Sequence, residues 1–95
     1  MIYILGKVKI EDLQKFVGVF STRGAEMRRK HGGISSQIFK ISEEENRVYV
    51  LLEWSNKEAF EEFVNSSIVK ETMKSSGTLE PPEFTYLEKI AELPA

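Results

Sequence analysis

Residues 2–10, IYILGKVKI, alternate: Ile2, Ile4, Val8 and Ile10 fall on one face, and Tyr3, Leu5, Lys7 and Lys9 on the other. Period two with β-branched residues reads as a strand. From Glu11 the period changes. Leu13, Phe16, Val17, Phe20, Gly24, Met27 and His31 recur at helical spacing. Glu11 and Asp12 stand in the first turn and RRKH in the last, both placed to complement the helix dipole. Gly32 and Gly33 follow, and glycine accepts the left-handed conformation that ends a helix. The spacing predicts one helix of about five turns. This switch of period within the first third of the chain restricts the fold more than any other feature.

The same two periods recur downstream. ISSQIFKI, residues 34–41, reads as a weaker strand, SEEEN as a polar hairpin connection, and RVYVLLEW, residues 47–54, as the most apolar strand. SNKE then makes a capping box, in which Ser55 accepts from the Glu58 amide and Glu58 reaches back. Ala59, Phe60, Phe63 and Val64 give the next helix its apolar face. NSSIVKETMKSSG reads as a second short helical piece, capped by Ser66 or Ser67 and stopped by Gly77. TLEPPE cannot continue it. FTYLEKI, residues 84–90, is the last strand, and AELPA a loose tail. The order β-α-β-β-α-β is the ferredoxin-like pattern of the α+β class, a single domain over residues 1–95.

In that topology the first and third strands lie at the centre of a four-stranded antiparallel sheet, with helices on one face only. Ile2, Ile4, Val8, Val48, Val50 and Leu52 are expected under the helices, with Trp54 on the same side near the rim. Tyr3, Leu5, Tyr49, Leu51 and Leu87 are expected on the opposite face, which is too apolar to leave in water. A second copy related by a twofold axis covers such a face most simply, so a homodimer joined sheet to sheet is expected.

Composition removes several classes of function. There is no cysteine and a single histidine, so neither a disulfide framework nor a zinc site is expected. A net charge of −2 at pH 7 gives no overall attraction to nucleic acid or anionic membranes. No apolar run approaches the roughly 20 residues that span a bilayer. MIYILGKVKI lacks the basic leading region and small-residue cleavage site of a signal peptide, so a cytoplasmic protein is expected.

Few residues offer chemistry. Trp54, the only tryptophan, either plugs the core or lines an aromatic pocket with its N–H free for a ligand oxygen. Tyr86 lies on an edge strand, can reach either side, and is taken with Trp54 as a pocket-lining candidate. His31 is the one group whose ordinary pKa suits a general base, although at a helix end an imidazolium also simply favours the dipole. Arg23 and the RRKH run read as a solvated helix end, and Glu43–Glu45 as a solvated loop without metal-ligand spacing.

The segment VYVLLEWSNKEAFEEFVNSSIVKETMKSSGTLEPPEFTYLEK resembles the antibiotic biosynthesis monooxygenase-like proteins of the dimeric α/β-barrel superfamily. The shared features are a strand ending in Glu-Trp, the EAFEEF helix, a following helical piece, a glycine, and a proline-containing lead into the last strand. The long helix ending in HGG matches in layout. The resemblance implies a dimeric barrel with a ligand pocket between sheet and helices, and it carries Trp54 over as a pocket residue. The haem-degrading branch also uses an Asn on the first strand and a His on the later helical segment, and this chain has neither there. The resemblance then implies a cofactor-independent oxygenase of a small aromatic or phenolic substrate, without metal or other cofactor. The alternative is a non-catalytic dimeric module that binds a small apolar ligand or a protein partner.

Overall fold

In the computed structural model, which describes residues 1–95, eight elements follow in the order β1 (Ile2–Lys9), α1 (Leu13–Phe20), α2 (Arg23–Lys30), β2 (Gly33–Lys40), β3 (Arg47–Trp54), α3 (Lys57–Asn65), α4 (Ser67–Ser75) and β4 (Glu83–Leu87). The sheet order is β2-β3-β1-β4, and every neighbouring pair is antiparallel. This is the ferredoxin-like α+β fold, with the two most apolar strands in the centre. The molecule measures 34 × 32 × 20 Å. The short dimension is that of one sheet and one helix layer, about 10 Å apart.

Side-chain alternation decides which face is buried. Ile4, Val8, Val48, Val50, Leu52 and Trp54 point under the helices and are buried, as is Ile10 just beyond β1. Ile2 is half-buried against the same core. Phe16, Phe60, Phe63 and Val69 close that core from the helix side. Burying a side chain of this size contributes about 1.5–3 kcal/mol.

The single long helix expected after Glu11 is two helices. Their junction is built by the hydroxyl and the amide of Thr22. Thr22 Oγ1 donates to the Gly18 carbonyl at 2.7 Å, and the Thr22 amide turns to Val19 at 3.3 Å. Such local side-chain bonds compete with the helical ladder, and Thr22 leaves it with φ −112° and ψ −94°. Asp12 caps α1 by accepting from the Lys15 amide at 2.8 Å. At α3 the cap is Asn56, which accepts from the Ala59 amide at 2.8 Å, and not Ser55. Ser66 stands at the N-cap of α4 but makes no side-chain capping bond. Gly32 (φ +98°) and Gly77 (φ +83°) end their helices in the left-handed region, as their positions predict. β4 stops at Leu87 rather than running to residue 90. No helix is long and apolar enough to cross a membrane.

The uncovered face carries Tyr3, Leu5, Tyr49 and Leu51 half-buried, with Leu87 exposed. Phe39, opposite Tyr49 in the register, joins them with 51% of its surface exposed.

Candidate ligand cavity

A cavity of about 80 Å³ lies between the sheet and the helices. Val8, Val50, Leu52 and Phe84 form its floor. Its roof comes from all four helices, through Phe16 and Phe20 of α1, Met27 of α2, Phe63 of α3 and Val69 of α4. Gly6 helps to make the floor. A Cβ there would stand 2.8 Å from Val50 and 3.1 Å from the Phe84 ring, so only glycine lets both side chains lie over β1. The segment after α4 closes one end. Its amides and carbonyls pair with the end of β1, with Leu79 N–H donating to Lys9 at 3.0 Å and Glu11 N–H to Gly77 at 2.9 Å. That brings Ser76 and Thr78 to the wall.

Thirteen of the nineteen lining residues are hydrophobic. The hydroxyls among the rest are occupied. Thr72 donates to the Ile68 carbonyl at 2.9 Å, and Ser76 donates to Met73 at 2.6 Å and lies 3.0 Å from Thr78 Oγ1. The one ionisable lining residue is Arg28. It is 9% exposed, and its Nη2 donates to the Phe20 carbonyl at 2.9 Å. Its guanidinium carbon stands 3.7 Å from the centre of the Phe20 ring. This bond completes the end of α1, where the last four carbonyls of a helix need outside partners. Val17 receives the Ser21 amide, Gly18 the Thr22 hydroxyl, Val19 the Thr22 amide and Phe20 the arginine. Burial, reinforced by neighbouring Arg29, lowers the Arg28 pKa to about 10, so it remains a cation at neutral pH.

The residues singled out from the sequence lie beside this cavity and not on its wall. Trp54 is fully buried behind Phe60 and Phe63, with ring centroids 5.2 and 4.8 Å away. Its N–H donates to the His31 carbonyl at 2.9 Å and is therefore not available to a ligand. Trp54 thus belongs to the core, and Phe60 and Phe63 stand where it was expected to line the pocket. Tyr86 points to the helix side and meets Phe60 edge-on at 6.0 Å, but Phe84 is the β4 residue on the cavity floor. Partial burial and the Glu61 carboxylate raise the Tyr86 pKa, and the Lys57 ammonium lies 4.8 Å over its ring. His31 is exposed at the end of α2, its Nδ1 2.8 Å from the Met27 carbonyl and its ring 5.6 Å from Phe63. It is not among the residues that line the cavity.

Arg28 corrects the reading of RRKH as a wholly solvated helix end. Arg29, Lys30 and His31 are exposed, and Arg28 turns inward. The available signal was Gly24, four residues earlier on the same helix face. A Cβ at Gly24 would lie 3.0 Å from Arg28 Nη1, so the glycine opens the space the guanidinium occupies.

A family model described as antibiotic biosynthesis monooxygenase matches residues 1–75. No curated protein sequence matches significantly. Among solved structures, SnoaB, a cofactor-independent oxygenase from Streptomyces nogalater, aligns with a TM-score of 0.76 at 15% identity over 99% of this chain and 97% of its own. A candidate antibiotic biosynthesis monooxygenase from Caulobacter crescentus CB15 gives 0.72 at 18% identity over 95% and 90%. A conserved protein from Methanosarcina mazei Go1 gives 0.68 at 18% identity over 93% and 91%. At these identities the likeness is one of fold.

Proposed function

Because this chain belongs to the antibiotic biosynthesis monooxygenase family, we propose that it is a cofactor-independent oxygenase that holds a small aromatic or phenolic substrate in the cavity beneath its helices. The observation that carries the reading is the cavity itself: an apolar space roofed by residues of all four helices with one cation on its wall. An apolar wall of this kind strengthens each polar contact a substrate makes. Its volume, about 80 Å³, is roughly half that of an apolar cavity known to hold benzene. A ring therefore fits only if the roof gives. α1 is the part best placed to do so, because it packs closely on α2 alone and buries only Phe16.

The chemistry asks little of the protein. A hydroquinone-type phenol loses its proton, and the phenolate transfers an electron to oxygen. The two radicals combine at a ring carbon that bears hydrogen, the peroxide anion takes a proton back from solvent, and the hydroperoxide loses water to leave a carbonyl, so that one oxygen atom enters the ring and one leaves as water. The wall carries no carboxylate, histidine or tyrosine that could take the proton. Solvent takes it, and the substrate's own acidity governs the rate. Oxygen uptake should rise as pH climbs through the substrate's pKa, and the midpoint should move with the substrate when ring substituents change that pKa. An oxygen electrode, with chelator-treated protein and a series of substituted naphthohydroquinones, measures this. A midpoint that stays fixed across the series would assign the proton to a protein group and contradict this mechanism.

The same wall supports a second reading. Without a paired acid and base, the cavity also suits a module that binds an apolar ligand and does not turn it over; tight binding with no oxygen uptake above the protein-free rate would favour it. In either reading we expect a homodimer, joined through Tyr3, Leu5, Tyr49, Leu51 and Leu87, with Phe39 added to that face. In this reading the protein works in the cytoplasm.

A further inference from the structure

Arg28 has no protein anion. The three ion pairs of the molecule, Lys15–Glu11, Lys30–Glu26 and Lys89–Glu92, are all elsewhere and exposed. A guanidinium has five donor hydrogens in a planar fork; the protein takes one at the Phe20 carbonyl and sets the Phe20 ring 3.7 Å from the guanidinium carbon. Nine-tenths of the residue is nonetheless withdrawn from water, against an apolar wall. The nitrogens that make no protein hydrogen bond keep some contact with solvent, so they are open to an incoming acceptor. As α1 ends on its Phe20 carbonyl, a neutral amide donor would satisfy that helix end as well. In the protein the charge meets only the Phe20 ring, and no carboxylate balances it. We propose that the cavity selects an anion: its ligand is a small aromatic or apolar molecule with one negatively charged oxygen, a carboxylate or a phenolate, which takes the free donors of Arg28 while the ring lies against Phe16, Val69 and Phe84. This rests on the cavity being the ligand site and adds the charge of the substrate to it.

Charge-assisted hydrogen bonds to a guanidinium are roughly twice as strong as neutral ones, and the fork favours two oxygens or one oxygen shared by two N–H groups. A neutral isostere would forgo these charge-assisted bonds, so the anion should be preferred.

The test uses benzoate and its neutral isostere benzamide, each titrated into isotope-labelled full-length protein at neutral pH. The methyl signals of Met27, Val50, Val69 and Met73 report whether the cavity is the place of binding. A phenolate arm uses para-nitrophenol below and above its own ionisation. Wild type should bind an anionic probe at least tenfold more tightly than its neutral counterpart. Arg28→Met should abolish that preference, and Arg28→Lys should retain part of it, with thermal unfolding confirming that both variants fold. Preference confined to benzoate would identify a carboxylate ligand, and preference confined to the ionised nitrophenol a phenolate. Equal binding of charged and neutral probes, or a preference undiminished in a folded Arg28→Met, would overturn the proposal while leaving the cavity as the ligand site. If no probe moved the cavity methyls of wild type, the cavity reading itself would fall and the proposal with it.

Discussion

Trp54 and Arg28 exchange the roles their residue types suggest. The indole sits in the core with its N–H given to His31 at 2.9 Å, and the arginine faces the cavity. Trp54→Phe should therefore destabilise the fold by about 1–3 kcal/mol, the cost of leaving a carbonyl that lost its donor, together with the volume removed. Ligand affinity should stay within about twofold of wild type, because Phe60 and Phe63 and not Trp54 form the wall. Chemical denaturation and a binding titration on the same variant separate the two. A stable variant with lost affinity would return Trp54 to the site. That Trp54 lies on the helix side was legible from its parity with Val48, Val50 and Leu52. Its hydrogen bond was not, because the partner is a backbone carbonyl twenty-three residues away in sequence, at the end of another helix. Arg28 was hidden by its neighbours. In a run of four cationic residues nothing local says which one turns inward, and only the missing side chain at Gly24 marks the groove.

Among the elements, strands were read more closely than helix ends. Alternation fixes a strand's faces whatever its exact limits, whereas a helix junction depends on two or three hydrogen bonds. The stripe from Leu13 to His31 runs on at helical spacing through Ser21 and Thr22, so periodicity alone joins α1 and α2. The break comes from hydroxyl bonds to Gly18 and Val19, which a hydropathy pattern does not register. At α3, Ser55 and Asn56 are both good caps by residue type, and the backbone chooses Asn56, whose φ of −163° and ψ of 168° are those of an N-cap. Asn56→Ala should cost about 1 kcal/mol, and Ser55→Ala close to nothing from lost capping. Equal losses in denaturation midpoints for the two variants would contradict this assignment.

At the scale of the whole molecule, the strand order and buried face followed from two short apolar alternations, and the family likeness spans both sheet and helices. The open face is the molecular feature that asks for a partner. Leu51 lies on a central strand of that face and is half-buried in the single chain. Leu51→Glu should leave the fold intact and convert a dimer to a monomer, since burying an unpaired carboxylate between two sheets is prohibitive. Light scattering measures it, and a wild-type protein that is already monomeric at micromolar concentration would contradict the dimer. In the proposed reaction, oxygen is consumed on a substrate held in the cavity without any cofactor. Its most direct measurement is mass analysis of the product formed from a naphthohydroquinone under isotopically heavy oxygen gas, using chelator-treated wild type and Met73→Trp, which fills the cavity from α4. Wild type should give one heavy oxygen atom per product molecule, formed well above the protein-free rate, and a folded Met73→Trp a rate at the protein-free level. Unlabelled product, or labelled product formed equally fast by the filled variant, would contradict it.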